Sequence, residues 1–515
     1  MVDEVFKNLV DQFSDPFTCL RELVQNAMDA GTEQVDVRTS YLDDPGGVCL
    51  EIRDYGEGMN REIIDGKLTR LFSSDKENDL TKIGKFGIGF VSVFSLKPEL
   101  VTVDTGRDGE YWRIAFDGGT DFQLFELHAP LEGTSVKIYK MLPYDEYDRF
   151  CQRCMETVSK WCRHSHVQLT FNDEPVNQPL EVDSVCRVDT EDPLGRFNLG
   201  VSSQSPAPFG LYNTGLTLTE GEQEQFVGVT FKILSNHLEH TLTRDAVIVD
   251  ANYNKVMARL TQLVENDLLE QVCSNLRSEE AQRETTARDC SLYLHSRLPE
   301  LSSAQRKLVV HTDVCGMEIT IGDLQKCAKE ETRLFVSEKK TTLAERASRE
   351  GIPVLNLPLR SAMADLLGSL FGVPVVALEK NLAVSRPVER PPALKQITPH
   401  IRALLREGRI LVTSVVLVEY PDSIRDPNAP PCTFALGPDR LVRKFRKGFW
   451  GTKYLLPQQL LLDSQHPLVK KALSRAETAA GKRMAIYTLT KAALLNDGVA
   501  PTTENRLLKT LMERV

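Results

Sequence analysis

No stretch of this 515-residue chain approaches the roughly 20 consecutive apolar residues that cross a bilayer, which excludes a membrane-spanning helix. The opening residues, MVDEVFKNLVDQF, carry acids and lack the charged, apolar and small-residue order of a signal peptide, so a cytoplasmic protein is expected. There is no fixed-period repeat and no low-complexity segment, which excludes a solenoid or a compositionally biased linker protein. The eleven cysteines are scattered, not arranged as a small disulfide framework. Their densest group lies in CQRCMETVSKWCRHSH, where Cys151, Cys154, Cys162, His164 and His166 are all metal-ligating types. On a helix, however, Phe150, Cys154, Val158, Trp161 and Cys162 fall on one apolar stripe, where a small apolar Cys belongs. Core packing is therefore the expectation, with metal binding the alternative.

What is present is length enough for several domains, each able to bury a core, and an ordinary 41% of apolar residues. The net charge of −10 conceals an asymmetry. From Pro391 onward there are 20 Lys and Arg against 10 Asp and Glu, a balance of +10, which leaves −20 on residues 1–390. A basic tail of this kind suits acidic proteins, nucleic acid, an acidic part of its own chain, or simply solvent.

Strand-like alternation in EQVDVRTSYL and VCLEIRDYG follows a first helix, and further strands come at LVTVDTG, EYWRIAF, FQLFELH and GTSVKIYKML. This order predicts an α/β sandwich over residues 1–141. A second unit, 142–290, begins with MLPYDEYDRFCQRCMETVSKWC and contains VQLTFND, FVGVTFKIL and a long helix after RDAVIVDANYN. Strands RKLVVHT and TRLFVSE alternate with helical LAERASREG in 291–388, and the Pro-rich VSRPVERPPAL opens a basic final unit, 389–515. The fold class expected is α+β.

Chemistry concentrates near the N-terminus. In CLRELVQNAMDAG, at about 100° per residue, Asn26 lies roughly 40° from Glu22, and Asp29 roughly 20° to its other side. Leu20, Leu23, Val24 and Ala27 take the opposite arc, while Asp15, Pro16 and Gly31 mark the ends. In DYGEGM, Asp54 ends a strand, and Gly56 and Gly58 follow at once. A fixed carboxylate there can accept a hydrogen bond from an exocyclic amine while glycine lets the backbone approach a flat ring. In GKFGIGF, Gly84, Gly87 and Gly89 form a loop opening a helix, whose N–H groups can surround phosphate oxygens. Gly133–Thr134 then begins a strand with a hydroxyl near the sheet.

In their order and spacing these pieces resemble the Bergerat-type ATP-binding fold of gyrase, the heat shock protein 90 chaperones, histidine kinases and MutL. The resemblance implies ATP and Mg2+ as ligands. It implies Glu22 as the general base acting on water, Asn26 as the magnesium ligand, Asp29 on the ribose–phosphate side, and Asp54 at the adenine amine. Gly58, Met59 and Thr134 would complete the base pocket, and Gly84, Lys85, Phe86, Gly87, Ile88, Gly89 and Phe90 would surround the phosphates. The run IGKFGIGFVSVFSL is most similar to the heat shock protein 90 branch; the MutL, gyrase and sensor-kinase patterns are missing. HTLTRDAVI resembles that branch's middle-domain segment, which makes Arg244 the residue expected to reach the γ-phosphate.

The resemblance further implies a Bergerat sandwich followed by α/β middle domains and a helix-ending C-terminal domain. An ATP-dependent chaperone acting on client proteins follows from it. The apolar residues Leu468, Ala472 and Ala479, with Tyr487, Leu489, Ala492 and Leu495, would form a homodimer through the last helices. Three departures accompany it. Lys67 stands where the chaperones carry an asparagine, residues 67–84 make a short lid, and the chain ends in LMERV, not an acidic recruiting tail. The alternative function is an ATP-gated clamp in a nucleic-acid or defence system. Its best support is LVRKFRKGFW, residues 441–450, where Arg443, Lys444, Arg446 and Lys447 interleave with Phe445, Phe449 and Trp450.

Overall fold

A computed structural model describes residues 15–68, 89–119, 121–239, 247–407, 410–420, 430–436, 441–443 and 458–496, together with Phe6, Val10 and Lys509. It is a mixed α+β protein whose chain divides into two compact units, Met1–Gln271 and Val272–Val515. Among the described residues no helix is long and apolar enough to cross a membrane.

The first unit is built on a large sheet. Its strands are β1 (Gln34–Leu42), β2 (Gly47–Asp54), β3 (Leu100–Arg107), β4 (Glu110–Phe116), β5 (Phe122–Glu126), β6 (Gly133–Met141), β7 (Gln168–Phe171) and β8 (Glu174–Pro175). They lie in the order β5-β4-β3-β6-β2-β1-β7-β8. Period-two alternation turns one face apolar, and the register aligns the pattern across strands: Phe171, Val37, Ile52, Val136, Val103 and Ile114 are successive cross-strand partners. Helix α1 (Cys19–Asp29) covers that face with Cys19, Leu20, Leu23, Val24 and Ala27. Its entry is fixed by Asp15, whose carboxylate accepts from the Phe17 N–H at 3.1 Å, and Gly31 at φ +73° ends it.

The sheet does not stop at Met141, where the sequence pattern places a boundary. Helix α2 (Tyr147–Cys162) buries Phe150, Cys154, Val158 and Cys162 in the same core, and β7 adds to β1 in parallel, Val35 opposite Leu169. Without them β1 would be an open edge and one flank of α1 would be uncovered. The cysteine stripe is thus core: Cys154 and Cys162 are fully buried, and burial pushes the Cys162 thiol up to about 12.

A second sheet in this unit has five strands, β9 (Arg187–Asp192), β10 (Gly195–Val201), β11 (Ala207–Asn213), β12 (Leu216–Gln223) and β13 (Val229–Leu234), in the order β12-β11-β13-β10-β9. Partly buried polar groups join it to the residues that follow α2. Arg163 and the Tyr212 hydroxyl both donate to Glu220. His164 lies edge-on to the Tyr212 ring with centroids 4.8 Å apart. A carbonyl can only accept, so Nδ1–H of His164 donates to Gln178 O at 2.9 Å, and Nε2 accepts from Lys232 Nζ at 3.3 Å. Burial first, then the neighbouring cations, drive the His164 pKa down to about 4.

Between the ordinary value of 6.5 and that figure, the unfolded chain takes up a proton that the folded one refuses. The neutral ring's stabilisation is therefore lost as pH falls through this window, about 2 kcal/mol of it by pH 5. Thermal melts from pH 7.5 to 5 on wild type and His164→Asn are expected to show the stability difference moving in favour of the variant by about 2 kcal/mol at pH 5. An unchanged profile in His164→Asn would contradict the buried neutral assignment.

The second unit holds a three-stranded parallel sheet of Val354–Leu355, Leu334–Val336 and Val375–Ala377, flanked by helices such as Ile321–Glu331, which carries a Thr320/Asp323 capping box. A four-stranded sheet follows, in which Val412–Glu419 and Gln458–Asp463 run parallel. Helices Pro392–Glu407, Pro467–Arg475 and Ala479–Asn496 bury its apolar side. The apolar residues expected to make a dimer are largely used here: Leu489 and Ala472 lie in this core, and Leu468, Tyr487 and Ala492 pack against it. Leu495, 56% exposed, and Ala479 stay outside it.

Candidate functional site

Between α1 and the sheet lies a cavity of about 270 Å3. Its apolar wall comes from Leu23, Ala27, Ile52, Ile63, Leu68, Phe90, Val103 and Val136, and its polar groups include Asn26, Asp29, Asp54, Glu57, Arg107 and Thr134, with Gly58 and Met59 on the loop after β2. A mostly apolar cleft with a few convergent polar groups is the usual form of a small-ligand site, although this one falls just below the roughly 300–1,000 Å3 common for such sites.

The loop after β2 is stitched to the end of α1. Glu57 N–H donates to Ala30 O at 3.0 Å, and Tyr55 N–H to the Thr32 hydroxyl at 3.0 Å. Gly58 has φ +62°, and a Cβ there would stand 2.1 Å from Gly106 O, so only glycine permits this closeness of loop and β3.

Asp54, at the end of β2 and 8% exposed, is the most constrained polar group. Its Oδ1 accepts from Gly56 N–H at 2.9 Å and Thr134 N–H at 3.1 Å. Among the described residues no group bonds to Oδ2. Burial raises the Asp54 pKa to about 6, against the pull of those two N–H donors. At neutral pH the cavity therefore holds a desolvated carboxylate with one oxygen available, an acceptor suited to a ligand N–H.

Asn26 and Asp29 sit on the α1 face that the helical spacing predicts, and both line the cavity. The Asn26 amide has no side-chain partner among the described residues. Glu22, one turn earlier and 7% exposed, lies against Gly89; a Cβ at position 89 would stand 2.8 Å from Glu22 Oε2. Of the expected site residues, the structure thus brings Asn26, Asp29, Asp54, Gly58, Met59, Phe90 and Thr134 to one cavity, with Glu22 and Gly89 packed together beside Phe90. Gly84, Lys85, Phe86, Gly87, Ile88 and Arg244 lie outside the described residues, as do most of residues 441–450.

Two cavity groups, Glu57 and Arg107, and Thr105, which bonds to the cavity-lining Met59 and Thr134, were not legible as site residues. Thr105 on β3 is fully buried and bonds to the Thr134 hydroxyl at 3.0 Å. Arg107 and Glu57 form an ion pair of 2.8 Å at the cavity. Nothing local in the sequence marks Thr105; the pairing of β3 with β6 places it opposite Thr134.

A carboxylate at a strand end, an amide-bearing helix face and a glycine-bounded loop around an apolar cleft define a class, and sequence comparison gives the same class. Residues 14–121 match the family described as histidine kinase-, DNA gyrase B-, and HSP90-like ATPase, and this N-terminal region is a domain of that family. Similar proteins include chaperones named HtpG. The chain is 32% identical over 190 residues to the chaperone protein HtpG of Anaplasma phagocytophilum (strain HZ), covering 33% of this chain and 29% of that protein. It is 26% identical over 189 residues to HtpG of Fusobacterium nucleatum, covering 31% and 30%. With HtpG of Methylorubrum extorquens (strain PA1) it shares 29% over 192 residues, again 31% and 30%. The match spans a little under one third of these relatives' own length.

Proposed function

We propose that this protein is an ATP-dependent chaperone of the heat shock protein 90 type, which binds and hydrolyses ATP to drive domain closure and remodel client proteins. Asp54 is the observation that carries the reading. A purine is a flat apolar ring that in adenine carries an amine on one edge, and the cavity offers apolar walls with one desolvated carboxylate oxygen that has no partner among the described residues. Gly58, Met59 and Thr134 would hold the remaining edge of the base, and Asp29 the ribose–phosphate side. Residues 84–90 would give the phosphates backbone N–H groups at a helix start.

Glu22 is assigned the general base, since phosphoryl transfer to water needs one carboxylate near the nucleophile. Asn26 is assigned to magnesium; its side-chain oxygen, at the cavity and without a partner among the described residues, would be the ligand, and a bound ion would supply charge compensation to the phosphates. Arg244 is assigned to the γ-phosphate, where its planar, permanently charged head suits bidentate contact. Homodimerisation through residues 389–515 and action in the cytoplasm complete the reading.

The test is the purified chain's ATP turnover with unfolded protein, with DNA and with RNA. Stimulation by unfolded protein alone is expected. Stimulation by nucleic acid alone would replace the chaperone reading with that of an ATP-gated clamp.

A further inference from the structure

Strand β3 turns Val101, Val103 and Thr105 toward the core, two valines and then a hydroxyl in a fully buried position. A buried hydroxyl is costly unless its bonds are made, and Thr105 makes them to two segments of the cavity wall. Its Oγ1 accepts from the Met59 N–H at 2.9 Å. It also lies 3.0 Å from Thr134 Oγ1 and 3.3 Å from Gly133 O. Met59 and Thr134 both line the cavity, and Thr134 N–H is the second donor to Asp54. One hydroxyl thereby ties the loop after β2 to the first residues of β6.

Thr105 has a single hydroxyl hydrogen and two acceptors for it. When it donates to Gly133 O, the Thr134 hydroxyl donates back to Thr105 and shows the cavity only lone pairs. When it donates to Thr134 Oγ1, the Thr134 hydrogen is released to point elsewhere, and the cavity gains a donor. An adenine edge presents a donor, its amine, next to a ring nitrogen that accepts. Asp54 answers the first and a donating Thr134 the second. A guanine edge reverses both.

We infer that Thr105 is a positioning residue for base recognition: it holds the Met59 loop at the cavity and sets which way the Thr134 hydroxyl points. This rests on the nucleotide reading of the cavity.

The experiment uses the full chain with wild-type, Thr105→Val and Thr105→Ser proteins, measuring ATP Kd by calorimetry and turnover at saturating ATP. Valine keeps the shape and matches the two inward valines before it, but removes every bond. Thr105→Val is expected to weaken ATP binding about tenfold, because the partly buried Met59 N–H loses its acceptor and the loop its tie to β3, with saturated turnover within about twofold of wild type. Thr105→Ser, which restores the hydroxyl, is expected to bind within about twofold of wild type. A purely packing role predicts the opposite ranking, with valine tolerated and serine impaired, and that result overturns the inference. So does an unchanged Kd in Thr105→Val while the wild type binds ATP. If the wild type itself binds no ATP, the nucleotide reading fails and this inference falls with it.

Discussion

Asp54→Asn is expected to abolish ATP binding and, at the same time, to raise the thermal stability of the protein. The two effects share one cause. Burial lifts the carboxyl pKa from 3.8 to about 6, so holding it ionised at neutral pH costs on the order of 3 kcal/mol of folding free energy. The sign follows from proton uptake: between pH 3.8 and 6 the folded protein holds a proton that the unfolded chain has released, so this penalty grows as pH rises through that window and is complete above it. Asparagine keeps an oxygen for the Gly56 and Thr134 N–H groups and carries no charge, so the penalty disappears. It also loses the charge-assisted acceptor for a ligand amine. Calorimetry and thermal melts on the pair of proteins check both halves. The same pKa predicts that wild-type ATP affinity falls as pH drops through about 6. Wild-type affinity in Asp54→Asn, or a lower melting temperature, would remove Asp54 from the role.

The second large effect belongs to Glu22. Glu22→Ala is expected to bind ATP with near wild-type affinity and to hydrolyse it about 10²–10⁴-fold more slowly, the usual loss for a general base. The structure separates the two functions in space. Asp54 ends β2 at the cavity, whereas Glu22 lies on α1 with Oε2 2.8 Å from where a Cβ at Gly89 would stand. Single-turnover hydrolysis beside equilibrium binding distinguishes the outcomes. Loss of binding with an intact fold would mean that Glu22 holds the nucleotide; undiminished turnover would mean that another group activates water.

How much of this the sequence discloses depends on the range of the interaction. Helical periodicity is local: it puts Asn26 and Asp29 on one face of α1 and Leu23 and Ala27 on the opposite arc, and the cavity takes its lining from both. Asp54 is legible because a strand pattern ends in a glycine-bounded turn. The placement of α2 and β7 in the first sheet is not, because β1 and β7 pair in parallel across more than a hundred residues and nothing local marks the partner. The boundary expected at residue 141 falls at the end of β6, a local signal, and the pairing of β7 with β1 lies beyond it.

Thr105 escaped for a related reason. In LVTVDTG it reads as one more β-former, and it becomes a site residue only through the register that sets it opposite Thr134. The C-terminal helices show the converse. Their apolar faces are plain in the sequence, but whether such a face meets its own sheet or a second chain is a tertiary matter, and most of these residues turn inward.

The central claim is that the cavity beneath α1 reads the edge of an adenine, and competition between ATP and GTP for the wild-type full chain at pH 7.5 tests it most directly. ATP is expected to bind and GTP to bind at least tenfold more weakly, because the guanine edge places an acceptor oxygen where Asp54 already presents one. Equal affinity for the two nucleotides, or no binding of either, would contradict the account.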